Sequence, residues 1–175
     1  MNILSFHDYI LSEKSAPKWS TPELKKMPAT MLYHGTTAPE FPAFDGKGRK
    51  ESQGMIFLSD DEEGAMEFAN THNGWGFGKR GGPARVLYVD ARPGLVWEIT
   101  PMASRTFEPM KHSEEQVKIA RSNPKIRYLS FPHPGGAKGK FKCVMSLYPG
   151  EDLTIVKEVG LRYDKASGRM VHKSI

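Results

Sequence analysis

Short apolar runs of strand length recur along the chain, each closed within a few residues by Pro or Gly. That spacing leaves room for little besides a sheet built through short connections. Expected strands are Thr30–His34, Met55–Leu58, Arg85–Asp90, Leu95–Thr100, Ile126–Phe131, Phe141–Tyr148 and Leu153–Val159. Residues 160–173 read as a hairpin turning at Lys165-Ala166-Ser167-Gly168. Pro93-Gly94 is expected to join two neighbours in a meander or short crossover, and Pro149-Gly150-Glu151-Asp152 to join two more. Helical patterns are few. One follows Ser59, with Ser59 as N-cap, Glu62 closing a capping box, and Ala65, Met66, Phe68 and Ala69 running on to about His72. Another covers Ser113–Ser122 and stops at Asn123-Pro124. Strands outnumber helices and most links are short, so the expected class is α+β with a mostly antiparallel sheet.

A chain of 175 residues is expected to form one domain, residues 31–175, behind a leader of residues 1–30. In the leader, Ile3, Phe6, Ile10 and Leu11 fall at helical spacing, and Pro17, Pro22 and Pro28 mark an extended connector in which Pro22-Glu23 can start one helical turn. The leader helix reads either as packing on the core or as a targeting segment. Hydrophobic content of 38% and charged content of 26% fit a soluble globular protein. No run of eighteen apolar residues or secretory leader is visible, so no membrane association is expected. Cys143 stands alone, which rules out an internal disulfide or a multi-cysteine metal cage and points to a reducing cytoplasm. The six histidines are scattered singly, so no metal site is expected. Net charge is +5 and pI about 9.3, a mild bias toward nucleotides, nucleic acid or acidic protein faces.

Two stretches carry chemistry. The first is Leu32-Tyr33-His34-Gly35-Thr36-Thr37: an apolar lead-in, a His, a Gly that admits a neighbouring backbone or a ligand, and two hydroxyls. It suits a ligand with ribose hydroxyls and an amide, and equally suits an edge His before a turn. The second is 54–72, GMIFLSDDEEGAMEFANTH, a strand leading into a helix with Phe57 and Phe68 eleven residues apart (68 − 57). The two rings can clamp a flat ring or simply fill a core. Between and after these lie Asp45–Gln53, a basic loop, and 73–84, where Trp75, Phe77, Lys79 and Arg80 alternate with Gly. Such loops grip phosphates or stack bases, or are solvated links. Neither has the glycine spacing of a dinucleotide or P-loop motif.

Together, His34-Gly35-Thr36 and Gly54-Met55-Ile56-Phe57-Leu58-Ser59-Asp60 followed by Phe68-Ala69 resemble the ADP-ribosyltransferase superfamily of the His-Tyr-Glu type, over roughly 31–157. That group includes poly(ADP-ribose) polymerases and rifampin ADP-ribosyltransferases. The resemblance implies a split, mostly antiparallel sheet with a central cleft and a few short helices. It implies NAD as substrate, a protein or nucleic-acid acceptor, and a monomer. His34 would hold the nicotinamide-side ribose. Gly35, Thr36, Phe57, Ser59 and Phe68 would complete the NAD site. The first thirteen residues also resemble the capsid-targeting leaders of internal proteins of tailed phages, with Leu11-Ser12-Glu13 at the cleavage position.

This sequence departs from the pattern twice. Both clamp positions are Phe where the family usually has Tyr, so they stack without donating a hydrogen bond. The late strand Phe141–Tyr148 contains no carboxylate where the family's Glu usually sits. Rifampin-type enzymes carry an acid earlier, which by rough alignment falls on Glu98. Glu98 is therefore the candidate catalytic carboxylate beside His34, and otherwise a strand-surface acid. RNA 2′-phosphotransferases share the His-Gly start and use Arg and His in place of that Glu, which keeps a phosphotransferase reading open. A catalytically inactive module that binds nucleotide, ADP-ribose or nucleic acid is the third.

Overall fold

The computed structural model describes residues 23–38, 56–70, 82–98, 117–132 and 142–173. The strands are β1 (Glu23–Met27), β2 (Thr30–Thr36), β3 (Ile56–Ser59), β4 (Arg85–Ala91), β5 (Gly94–Glu98), β6 (Ile126–Pro132), β7 (Lys142–Ser146), β8 (Leu153–Asp164) and β9 (Arg169–His172). Helix α1 (Glu62–Ala69) follows β3, helix α2 covers 117–122, and the single turn α3 (Pro149–Asp152) precedes β8. The strands form one mixed sheet in the order β1-β5-β6-β7-β3-β2-β4-β8-β9. Among the described strands, β5 and β6 pair in parallel and the other pairs are antiparallel. The class is α+β, with a large, mostly antiparallel sheet and few helices. The expectations for 1–22, Asp45–Gln53, 73–81, 99–116 and 133–141 lie outside the described residues.

Residues directly opposite each other on paired strands share a face, and alternation along each strand sorts the side chains into two layers. On the first face, Leu32, Ile56, Leu58, Leu87, Val89, Val96, Tyr128, Val144 and Leu153 form one core cluster drawn from seven strands. The second face carries the helices. There Phe57, Trp97, Leu129 and Met145 pack with Val117 and Ala120 of α2. Tyr33, Val86 and Tyr88 pack with Ala65 and Ala69 of α1 and Met170 of β9.

The sheet closes over its first face. β6 and β4 are four strand steps apart in the order, about 19 Å in a flat sheet, yet the Tyr128 hydroxyl donates to the Arg92 carbonyl at 2.7 Å. Only a sheet curled over the first cluster permits both. Arg127 fastens the same closure. Its Nε donates to Asp152 Oδ2 at 2.8 Å and its Nη2 to Glu151 Oε2 at 2.6 Å, while its guanidinium lies 4.3 Å from the Tyr148 ring centroid.

Curling explains three differences from the sequence reading. Pro93-Gly94 does not join sheet neighbours: β4 pairs with β2 and β8, and β5 with β1 and β6. The link crosses between the two halves, and Gly94 sits so close to Arg127 that a Cβ would lie 2.7 Å from its Cγ. Pro149–Asp152 is likewise a helical turn passing from β7 to the other half. Glu23–Met27, read as connector, is the edge strand β1, paired with β5 from Glu23↔Glu98 to Met27↔Gly94. Its alternation is weak because one side of an edge strand faces solvent, so period-two patterning has little to act on.

Candidate functional site at the break between β2 and β3

β2 is stitched to β4 by seven residue pairs, from Thr30↔Ala91 to Thr36↔Arg85, and to β3 by the single pair Tyr33↔Ser59. The two halves of the sheet therefore meet along a nearly open line, and His34 is the next residue along it. His34 Nδ1 lies 2.6 Å from the Phe57 carbonyl. A carbonyl only accepts, so Nδ1 carries the proton and Nε2 of the neutral ring is the acceptor nitrogen. Burial pushes the His34 pKa below its usual 6.5 and the nearby Arg85 cation adds to that, against the opposing pull of the Phe57 carbonyl. The ring is thus neutral near pH 7 and presents an acceptor suited to a hydroxyl.

Of the two reasons the sequence offers for Gly35, a neighbouring backbone or a ligand, the structure shows the first. A Cβ there would stand 1.7 Å from the Ala65 carbonyl oxygen and 3.0 Å from the Ala69 nitrogen. The glycine is needed because α1 lies directly on β2, and the buried face of α1 is correspondingly small: Gly64, Ala65 and Ala69. Thr36 Oγ1 accepts from the Ala38 N–H at 3.0 Å, turning the chain at the end of β2.

Helix α1 starts two residues later than its pattern suggests. Ser59 is buried in β3, paired with Cys143. Its hydroxyl accepts from the Asp61 N–H at 3.2 Å, and Asp61 is the N-cap, its carboxylate accepting from the Glu63 N–H at 2.8 Å. Asp61 combines a cap with a negative charge at the positive helix end.

Phe57 and the helix that carries Phe68 both belong to the helical face, away from the His34 ring. Phe57 meets His34 through its carbonyl, while its ring packs in the layer beneath α2. Phe68 is half-buried near the end of α1, the helix that covers Gly35. The structure brings His34, Gly35, the Phe57 carbonyl and α1 together, but the His34 and Phe57 side chains go to opposite faces of the sheet.

Glu98 lies on the His34 face, in the row Glu98–Ser130–Val144–Leu58 that extends to His34. Four strand steps separate them, about 19 Å along the sheet before curling. Lys142 donates to Glu98 Oε1 at 2.8 Å and Lys25 to Oε2 at 2.5 Å. These two ammoniums, Lys142 first, hold the carboxyl down at about 2. Glu98 is therefore a fixed anion, with both oxygens already engaged.

Two further residues lie on the same face. Arg85, opposite Thr36, donates from Nη2 to the Ala38 carbonyl at 2.7 Å and from Nη1 to Glu158 Oε1 at 3.0 Å. Glu158 is paired with Leu87, which is paired with His34. Glu158 reads in sequence only as a strand residue, and Arg85 as a strand residue that also ends the basic loop 77–85, for which the resemblance implies contact with a pyrophosphate. Their convergence needs the β2–β4–β8 register, which no local pattern encodes.

Among the described residues, no group of His, Cys, Asp and Glu could hold a metal ion, and no helix is long and apolar enough to cross a membrane. No protein-family model matches the sequence, and no curated protein does. Among solved structures the chain is similar to the crystal structure of the M. tuberculosis MbcT-MbcA toxin-antitoxin complex, at 15% identity and a TM-score of 0.47, over 76% of this chain and 84% of that one.

Proposed function

We propose that the chain is an NAD-dependent ADP-ribosyltransferase on an ADP-ribosyltransferase-like fold, acting on a protein or nucleic-acid acceptor from the break between β2 and β3. The observation that carries this reading is the position of His34. It stands where, among the described residues, pairing between the halves falls to one residue pair, and the hydrogen bond of Nδ1 to the Phe57 carbonyl fixes the ring in one orientation from which to meet a ribose hydroxyl. Arg85 supplies a cation on the same face for the phosphates. Cleaving the nicotinamide–ribose bond develops positive charge on the sugar, which a carboxylate stabilises. Glu98 is the proposed carboxylate: it is ionised and on the His34 face, and the reading requires the curl of the sheet to bring it to the sugar across the four strand steps between them.

One observation favours a second reading. Lys25 and Lys142 neutralise Glu98 more than once over, and a carboxylate so held offers little field to a developing cation. On that reading the chain is a nucleotide- or ADP-ribose-binding module without transfer activity.

Free nicotinamide released from NAD, with cell extract as acceptor, separates the two. The transferase reading expects release by the wild type, and a fall of about 10²–10³ for Glu98→Gln with NAD binding little changed. His34→Ala is expected to weaken both binding and release. Absence of release beside measurable NAD binding establishes the module instead.

A further inference from the structure

We propose that Arg85 is the anion-binding residue of the His34 site, taking a phosphate group of the ligand in exchange for the Glu158 carboxylate that now meets its guanidinium. The proposal deepens the reading of the β2–β3 break as a nucleotide site and rests on it. Arg85, His34 and Glu158 share one face: Arg85 is opposite Thr36, two residues from His34 along β2, and His34 and Glu158 flank Leu87 in a continuous row over β2, β4 and β8.

Two partners of the guanidinium, the Ala38 carbonyl and the Glu158 carboxylate, are unequal. The Ala38 carbonyl is main chain, two residues beyond β2, and fixes Nη2 at the end of the His34-Gly35-Thr36 segment. The Glu158 carboxylate is on a side chain 52% exposed, whereas the Arg85 side chain is only 14% exposed. A half-exposed carboxylate turns to water at little cost. The planar guanidinium then meets phosphate oxygens in the geometry it fits best, still anchored by the carbonyl. The site is thus built from a held cation and a replaceable anion.

His34 reports the exchange. Among the described residues, the other charged groups on this face are Glu158 and Arg162 on β8 and, farther along the row, Glu98 with Lys25 and Lys142; β3 contributes the Phe57 carbonyl and, at its end, Asp60, whose Oδ1 accepts from the Lys142 N–H, and Tyr33 and Tyr88 belong to the α1 face. Arg85 disfavours the imidazolium. A phosphate on Arg85 offsets that field, so binding raises the His34 pKa and ADP binding is accompanied by partial proton uptake at Nε2, which then meets a ligand oxygen as a donor.

The test uses ADP as probe and the full chain, with calorimetry in two buffers of different ionisation enthalpy and NMR titration of the His34 ring. Expected are ADP binding with proton uptake, affinity lowered about tenfold or more by Arg85→Gln, and affinity raised about two- to fivefold by Glu158→Gln, which removes the competing carboxylate. Arg85→Gln is also expected to raise the His34 pKa of the free protein. A merely structural Arg85–Glu158 pair predicts the opposite for Glu158→Gln, with affinity unchanged or reduced, and that result overturns the proposal, as does failure of the wild type to bind ADP. If Arg85→Gln does not fold, Glu158→Gln and the proton uptake still decide. A chain that binds ADP in this way but releases no nicotinamide refutes the transferase reading alone. One that releases nicotinamide while Arg85→Gln leaves ADP affinity intact refutes the Arg85 assignment alone.

Discussion

At the scale of single residues, the positions that matter here are fixed by what lies against them. Gly35→Ala places a methyl group into the Ala65 carbonyl. Backbone cannot rotate away as a side chain can, so the cost is expected at the upper end of overpacking, about 3 kcal/mol by denaturant unfolding. Glu98 gives a prediction with a sign. Its carboxyl is depressed from 4.5 to about 2 by Lys142 and Lys25. The stability it adds is therefore fully present above about pH 4.5 and lost as the pH falls toward about 2. Because both lysines are about half exposed, the loss is expected to be about 1 kcal/mol rather than the whole shift. Acid unfolding of Glu98→Gln, compared with wild type, should lack that limb. His34 and Gly35 were legible from sequence as a special pair, because an apolar run rarely ends in that combination without a reason. Which reason belongs to which residue was not. The glycine serves α1, and only the helix position reveals it.

Elements show where pattern suffices and where it does not. The hairpin of β8 and β9 was readable because Lys165-Ala166-Ser167-Gly168 is turn chemistry in sequence. The structure adds that Gly168 has φ +68 and donates its N–H to the Asp164 carbonyl at 2.8 Å. Gly168→Ala is expected to cost about 1 kcal/mol, read from the thermal midpoint, since an L side chain is strained there. Helix α1 was readable in type but shifted at its start, because Ser59 and Asp61 are both good caps and burial of Ser59 in β3 decides between them. β1 was missed, since an exposed strand of Glu, Leu, Lys, Lys and Met has no face to advertise. Its contribution comes from pairing with β5 and from Lys25. The β9 end of the hairpin is tied to α1 through His172 and Glu62 at 2.7 Å, and Glu62 also accepts from the Tyr88 hydroxyl.

For the molecule as a whole, α+β and mostly antiparallel followed from the count and spacing of strands. The strand order did not, because Pro93-Gly94 and Pro149–Asp152 look like local turns while each carries the chain between halves. Closure of those halves depends on Arg127. Asp152 is buried, so Arg127→Ala leaves its carboxylate without the guanidinium it was buried against, and a loss of about 3 kcal/mol or more is expected in urea unfolding. Replacing Asp152 by Asn in that background should restore part of it, which a simple loss of packing would not. The uneven stitching of β2 also has a mechanical consequence. Seven residue pairs hold it on one side and one on the other, so a load applied across the strands concentrates on a single rung beside His34. Pulled laterally, the described sheet has a tear line there, and that seam should open first, the halves staying tied at the closure by Arg127 and Tyr128.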